Sequence, residues 1–242
     1  MTKGDPMKKM LLTPTLALAF AIVAQAAESK SNTAATPAPR DAGWVKRHEG
    51  FVAIAKKGSV DLLFLGDSIT DGWRGGGKTV WEKNFAPLKV ANFGIGGDRT
   101  EHVLWRLQNG ELDGITPKLA VLMIGTNNLG ANKDEEIADG VKAIVAELQK
   151  RSPGAKLLLL GIFPRGMKVD DPARGRIKHI NSIIAQLDDD GKTIKYLDIG
   201  NKFLEADGTL PKSIMPDGLH PNAKGYEIWA EAIAPNVLEM MK

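Results

Sequence analysis

Four short polar clusters in this chain hold the residue types that acyl transfer at an ester requires. The first, Gly66-Asp67-Ser68-Ile69-Thr70, directly follows the apolar run VDLLFL at 60–65. A serine hydroxyl is a poor nucleophile until a neighbouring base takes its proton. Asp217-Gly218-Leu219-His220 offers that base. Across a glycine turn the aspartate can reach one imidazole nitrogen and fix the tautomer, which leaves the other nitrogen to face Ser68. The same segment also reads as a helix-entry turn, with Pro221 at the helix start and Asp217 bonding local amides. NFGIGGD at 92–98 and IGTNN at 124–128 supply donors for a developing oxyanion. Gly97 can present a main-chain N–H, because glycine lets the backbone approach a substrate closely. Asn127 adds a side-chain amide and Ser68 its own N–H. Loss of one such donor commonly costs ~10²–10³ in rate.

Other constellations are weaker. His102 and His179 fall within helix-like segments, and His48 precedes the first strand and is expected at the surface. GWRGGGKT at 72–79 satisfies the P-loop pattern, yet GDSITD stands between it and the strand. A phosphate-cradling loop starts directly at a strand end. The loop is therefore expected to be a flexible rim of the ester site, with Trp73 placed to stack on a sugar ring. In GIGGDR at 94–99 the third glycine of a dinucleotide fingerprint is missing. No histidine pair or carboxylate cluster has metal-ligand spacing, so neither a metal nor a cofactor is expected.

The elements that must position these clusters alternate along the chain. Strand-like runs occupy 60–65, 88–92, 119–124, 156–160 and 194–198, and helix-like segments cover 44–57, 79–85, 99–107, 134–150, 173–188 and 222–240. Short apolar strands alternating with helices predict a parallel sheet covered on both faces. In such sheets ligands bind beyond the carboxyl ends of the strands. Three of the clusters follow strands directly, and the Asp217–His220 turn lies in a loop beyond the last one. On 134–150, Ile137, Val141, Ile144, Val145 and Leu148 mark one apolar face, with acids at the start and bases at the end.

Composition narrows the class. The chain has 242 residues, is 43% hydrophobic and carries a formal net charge of +3. That is enough for one substantial core. No basic stripe with interleaved aromatics supports nucleic-acid binding. Cysteine is absent, which excludes disulfides, thiol catalysis and thiolate-bound zinc. Near the N-terminus, Lys8 and Lys9 precede an apolar run from Leu11 to Val23 and then Ala24-Gln25-Ala26. This pattern predicts a signal peptide over 1–26, cleaved near Ala26, and hence a secreted or periplasmic protein. The apolar run is shorter than the ~20 residues that span a bilayer, so no stable membrane insertion is expected. Residues 27–43 read as a flexible linker and 44–242 as the folded domain.

Gly66-Asp67-Ser68, Gly97, Asn127 and Asp217-x-x-His220 together resemble the SGNH (GDSL) hydrolases. The stretches 92–112 (NFGIGGDRTEHVLWRLQNGEL), 125–128 (GTNN) and 161–166 (GIFPRG) look like the catalytic subunits of intracellular platelet-activating factor acetylhydrolase. The resemblance runs from about 59 to 238. It implies a flavodoxin-like three-layer α/β/α sandwich with a five-stranded parallel sheet of order 2-1-3-4-5. It implies Ser68, Asp217 and His220 as catalytic residues, with Ser68, Gly97 and Asn127 as oxyanion donors. The resembled subunits pair as dimers, so a homodimer is a further expectation, although Val103, Leu104 and Leu107 read as local core. Ile69, Thr126 and Leu219 adjoin catalytic positions and are expected to wall a small acyl pocket. The expected activity is hydrolysis of short-chain, chiefly acetyl, esters, with acetylated carbohydrate as a candidate substrate. The alternatives are a lipase or lysophospholipase and, in another class, a catalytically silent glycan-binding module. A silent descendant has no chemical reason to keep the full Ser/Gly/Asn/Asp/His set.

Overall fold

Alternation in the sheet strands decides the architecture. The computed structural model describes residues 1–2 and 31–242; the expected leader falls on residues outside those described. The strands are β1 (Leu62–Gly66), β2 (Val90–Gly94), β3 (Leu119–Met123), β4 (Lys156–Leu160) and β5 (Ile194–Leu197). All pair in parallel, in the order β2-β1-β3-β4-β5. Successive side chains of a strand point to opposite faces. Leu63, Leu65, Ala120, Leu122, Leu157 and Leu159 accordingly pack on one side of the sheet. Leu62, Phe64, Leu119, Val121, Leu158 and Leu160 pack on the other. Strands buried on both faces need helices on both, and the chain supplies them.

The first face is covered by α1 (Ala42–Ala55), α4 (Thr100–Gln108), α5 (Asp134–Arg151) and α6 (Pro172–Ile184). The expected stripe of α5 is buried throughout: Ile137, Val141 and Ile144 are fully enclosed and Val145 and Leu148 nearly so. Val103, Leu104 and Leu107 of α4 are buried in the chain's own core. The second face is covered by the short α2 (Ser68–Asp71), α3 (Lys78–Asn84) and the long α7 (Ala223–Met240). The result is the three-layer α/β/α sandwich expected from the sequence.

Two glycines let the first turn fold tightly over the sheet edge. A Cβ on Gly66 would lie 2.2 Å from Thr70 Oγ1 and 2.5 Å from the Met123 carbonyl oxygen, and one on Gly94 would lie 2.4 Å from the Asp71 nitrogen. Gly66 and Gly94 are partners in the β1–β2 register, so the turn after β1 sits directly over the end of β2.

Residues 31–41 are not the linker expected for this stretch. Ala34 is fully buried, and its carbonyl accepts from Thr100 Oγ1 at 2.7 Å. Asn32 donates to the Glu136 carbonyl, Asn132 donates to Thr33 Oγ1, and the Ala38 amide donates to the Glu101 carbonyl. Asp41 caps α1 through the Trp44 amide. Composition marked the segment as polar and small, but small residues also permit close packing across α4 and α5.

The glycine-rich loop at 72–77 is likewise packed rather than a flexible rim. A Cβ on Gly72 would meet the Tyr226 hydroxyl at 2.0 Å, and one on Gly77 would meet the Trp73 and Tyr226 rings at 2.7 Å. Trp73 is 1% exposed, with the rings of Tyr226 and Trp229 centred 4.5 and 4.8 Å away. It is core, so it cannot stack on a sugar. Lys78 is exposed and pairs with Glu82.

Candidate active site

Ser68 opens α2 immediately after β1, and Asp67 caps that helix by accepting from the Ile69 amide at 2.9 Å. The cap turns the chain sharply at the carboxyl end of β1 and leaves Ser68 partly exposed there. His220 approaches from the loop before α7, with its Nε2 2.9 Å from Ser68 Oγ. Its Nδ1 lies 2.6 Å from Asp217 Oδ2. The other carboxylate oxygen of Asp217 accepts from the amides of Leu219 and His220 at 3.0 and 2.8 Å. One oxygen thus shapes the turn while the other orients the imidazole, so the two readings of this segment hold together. Gly218 adopts φ +73°, and its carbonyl accepts from the Gly166 amide at 2.8 Å, which ties the turn to the loop after β4.

Electrostatics separates the two carboxylates of the site. Partial burial of Asp217 works toward a higher pKa. Hydrogen bonds from the His220 and Leu219 amides and the His220 ring outweigh it and hold the group at about 2. Such bonds favour the charged form. Asp67 is fully enclosed, and burial pushes its carboxyl up to about 7. Its Oδ2 has no hydrogen-bond partner among the described residues.

The loops after β2 and β3 converge on the same edge. A Cβ on Gly96 would be 3.8 Å from Ser68 Cβ, which places this loop against the serine. Gly97 adopts φ +78°, a left-handed conformation suited to glycine. Asn127 Nδ2 donates to the Asp98 carbonyl at 2.9 Å. That bond uses one of its two amide hydrogens and fixes the direction of the other. Asn128 points away from the serine into the protein: fully buried, it bonds Thr100, Glu101 and Asn132.

Of the four residues expected around the substrate, Leu219 alone is partly exposed. Ile69 and Thr126 are each 1% exposed, as is Trp73. The Ile69 side chain belongs to the core beneath the sheet, because α2 turns that face inward. Thr126 instead holds Arg165, whose Nη1 lies 3.2 Å from the Thr126 carbonyl oxygen.

Beneath the β2 loop lies a buried ion network that the sequence reading missed. Asp98 accepts from Trp44 Nε1 at 2.7 Å, Arg40 Nη1 at 3.1 Å and Arg106 Nε at 3.0 Å. Arg106, fully enclosed, also donates to the Phe93 carbonyl at 2.9 Å and pairs with Glu111. His48 is 3% exposed rather than at the surface, its Nε2 3.0 Å from the Asn109 carbonyl oxygen. Burial lowers His102 to about 4, so it stays neutral and its Nδ1 accepts from the Arg99 amide. The available signal was in plain view: Asp98, Arg106 and Glu111 are charges interleaved with apolar residues in one short stretch.

A parallel α/β sandwich carrying a serine, an imidazole and a carboxylate in hydrogen-bonded line at the carboxyl edge of its sheet has the build of an ester hydrolase. The chain belongs to the GDSL-like lipase/acylhydrolase family, whose model matches residues 64–228, and it is a carboxylic ester hydrolase. It is 36% identical over 220 residues to the rat platelet-activating factor acetylhydrolase IB subunit alpha2, covering 89% of this chain and 94% of that protein. The human alpha1 subunit is 36% identical over 217 residues, covering 88% and 92%. Among solved structures, an acetyl xylan esterase superposes with a TM-score of 0.62 at 24% identity, covering 73% of this chain and 98% of that one. These relatives correct one expectation. The subunits matched nearly end to end belong to the intracellular acetylhydrolase, which overturns the reading of a secreted or periplasmic protein.

Proposed function

We propose that the chain hydrolyses short-chain esters, acetyl esters first, through a covalent acyl-enzyme on Ser68. The observation that carries the reading is the unbroken line from Ser68 Oγ through the imidazole of His220 to Asp217, at 2.9 and 2.6 Å. His220 Nε2 takes the hydroxyl proton as Oγ adds to the ester carbonyl. Asp217 stabilises the imidazolium that forms. The tetrahedral oxyanion is held by the Ser68 and Gly97 amides and the free hydrogen of Asn127. Preorganised donors of this kind act where charge develops. The imidazolium then gives its proton to the departing alkoxide. Water repeats the sequence on the acyl-enzyme, releasing the acid and returning the proton to Ser68.

The preference for acetyl is supported by relatives named as acetylhydrolases. Two supports for a carbohydrate ester, export and a stacking Trp73, no longer stand. The reading therefore rests on the acyl side of the substrate, with acetylated glycan as one leaving group to test.

The experiment is a p-nitrophenyl ester series from acetyl to palmitoyl, run on the wild type and Ser68→Ala. The expected result is highest kcat/KM on acetyl, a steep fall beyond butyryl, and no turnover by the variant. Acetate release from acetylated xylan and from a 2-acetyl glycerophospholipid then ranks the leaving groups. A preference for octanoyl or longer chains would replace the proposal with a lipase or lysophospholipase. Ester binding without turnover in the wild type would leave a silent binding module.

A further inference from the structure

Arg40 lies before both the expected domain start and the family match, yet its guanidinium reaches the loop beside Ser68. Nη1 donates to the Gly96 carbonyl at 2.8 Å and to Asp98 Oδ1 at 3.1 Å. The Gly96 carbonyl and the Gly97 N–H are the two ends of one peptide unit. That unit is planar and trans, so fixing the direction of its oxygen fixes the direction of its N–H. We infer that Arg40 is a positioning residue of the ester site: it clamps the Gly96–Gly97 peptide so that the Gly97 N–H stays aimed at the developing oxyanion. The inference rests on the proposed role of Gly97 as a donor.

Three observations make the clamp necessary and specific. Neither Gly96 nor Gly97 has a Cβ to restrain the peptide, and Gly97 already sits at φ +78°, so the unit can rotate unless something holds it. The guanidinium lies over Gly97, where a Cβ would be 3.3 Å from Nη1 and 3.4 Å from Nη2. The same guanidinium bonds the Asp98 carboxylate, and the Asp98 carbonyl receives the Asn127 amide. One side chain thus ties together the residues behind both loop donors. Its charge adds a second effect. A charge-assisted bond to a carbonyl polarises the amide and strengthens the donor at its other end.

The clamp is anchored independently of the sheet. The strap at 31–41 is fixed through Ala34, Asn32 and Ala38 as described above, and Asp41 starts α1 one residue later. The Arg40 side chain itself is 30% exposed, and Asp98 keeps Arg106 and Trp44 when Arg40 is removed. Truncating Arg40 should therefore leave the fold intact while loosening the loop.

The test compares wild type with Arg40→Ala and Arg40→Lys on p-nitrophenyl acetate, with Ser68→Ala as reference. It also measures inhibition by an alkyl boronic acid, which forms a tetrahedral adduct on an active serine. Arg40→Ala is expected to lower kcat by about 10–100-fold, a fraction of the ~10²–10³ that follows outright loss of a donor, with KM within twofold. Boronate affinity should weaken by a similar factor. Arg40→Lys, or added methylguanidinium with the alanine variant, should restore part of the rate. A merely structural role moves none of these in concert, and a change in KM alone, or no change in kcat, overturns the inference. If the alanine variant fails to fold, the lysine variant decides. A lysine rate equal to wild type, with the ¹⁵N–¹H shift of Gly97 also unmoved, overturns it; a partial loss with a shifted Gly97 resonance supports it. Equal turnover by Ser68→Ala and wild type would instead remove the site reading, and the clamp with it.

Discussion

Replacing Asp67 with asparagine should remove a pH-dependent loss of stability that the wild-type protein carries. The carboxyl is fully enclosed; one oxygen accepts from the Ile69 amide, and the other has no hydrogen-bond partner among the described residues. Burial, against the opposing Ile69 amide bond and His220 and with help from the nearby Asp98 charge, raises its pKa from 3.8 to about 7. A carboxyl whose folded pKa lies above its unfolded value contributes full stability below the unfolded value and loses it as pH rises toward the folded one. The window is therefore pH 4 to 7. A shift of about three units at 1.36 kcal/mol each gives a loss of about 4 kcal/mol across it, to order of magnitude. Asparagine keeps an acceptor for Ile69 and leaves an unpartnered amide in place of Oδ2. That offset of about 1–3 kcal/mol does not vary with pH. Asp98, His102 and Asp217 titrate in both proteins and largely cancel in the comparison. The assay is urea unfolding followed by tryptophan fluorescence at pH 4.5, 6, 7 and 8. The stability of the variant minus that of the wild type should climb by several kcal/mol from the lowest to the highest pH. Parallel stability profiles would refute the reasoning and place a partner or solvent on Oδ2.

Asp217→Asn should retain the turn, because one oxygen still accepts from Leu219 and His220. Its new donor faces His220 Nδ1, and the wrong tautomer should cost ~10³–10⁴ in kcat with an unchanged melting temperature. A loss under tenfold would contradict the role of Asp217. Asn127→Ala should lower kcat by ~10²–10³ and leave KM nearly constant, since its bond strengthens only as the oxyanion forms. An effect confined to KM would take Asn127 out of the site. Arg106→Ala leaves Asp98 and Glu111 buried without their shared cation and should destabilise the fold by about 3–5 kcal/mol in chemical unfolding. A cost below about 1 kcal/mol would contradict the pairing of Arg106 with the two carboxylates.

What the sequence revealed depended on whether the information was local. β1, β3 and β4 are continuous apolar runs and α5 a clean 3.6-residue stripe, so their burial could be read directly, and sheet order followed from the resembled family. The placement of Ser68, Gly97, Asn127 and Asp217/His220 at one sheet edge was legible because each follows a strand or completes a turn with its own short signature. The failures involve contacts across long separations. Nothing within 27–43 announces that Ala34 will pack against Gly140 and Thr100, or that Arg40 will reach Gly96. Trp73 sits in a run of glycines that looks mobile, but those glycines are there to admit Tyr226. Ile69 adjoins Ser68 in sequence and yet faces the core, because a single helical turn sends neighbours in different directions. The expectation of secretion rested on a compositional pattern at the N-terminus, and the intracellular relatives contradict it.

The central claim is that Ser68 is the nucleophile, activated through His220. The most direct measurement is stoichiometric reaction with an alkyl fluorophosphonate, followed by peptide mapping in parallel with residual p-nitrophenyl acetate turnover. The expected result is one phosphonyl group per chain on the peptide containing Ser68, activity lost in proportion to labelling, and labelling greatly slowed in His220→Ala. Label on another residue, or full turnover by a chain whose Ser68 is completely labelled, would contradict it.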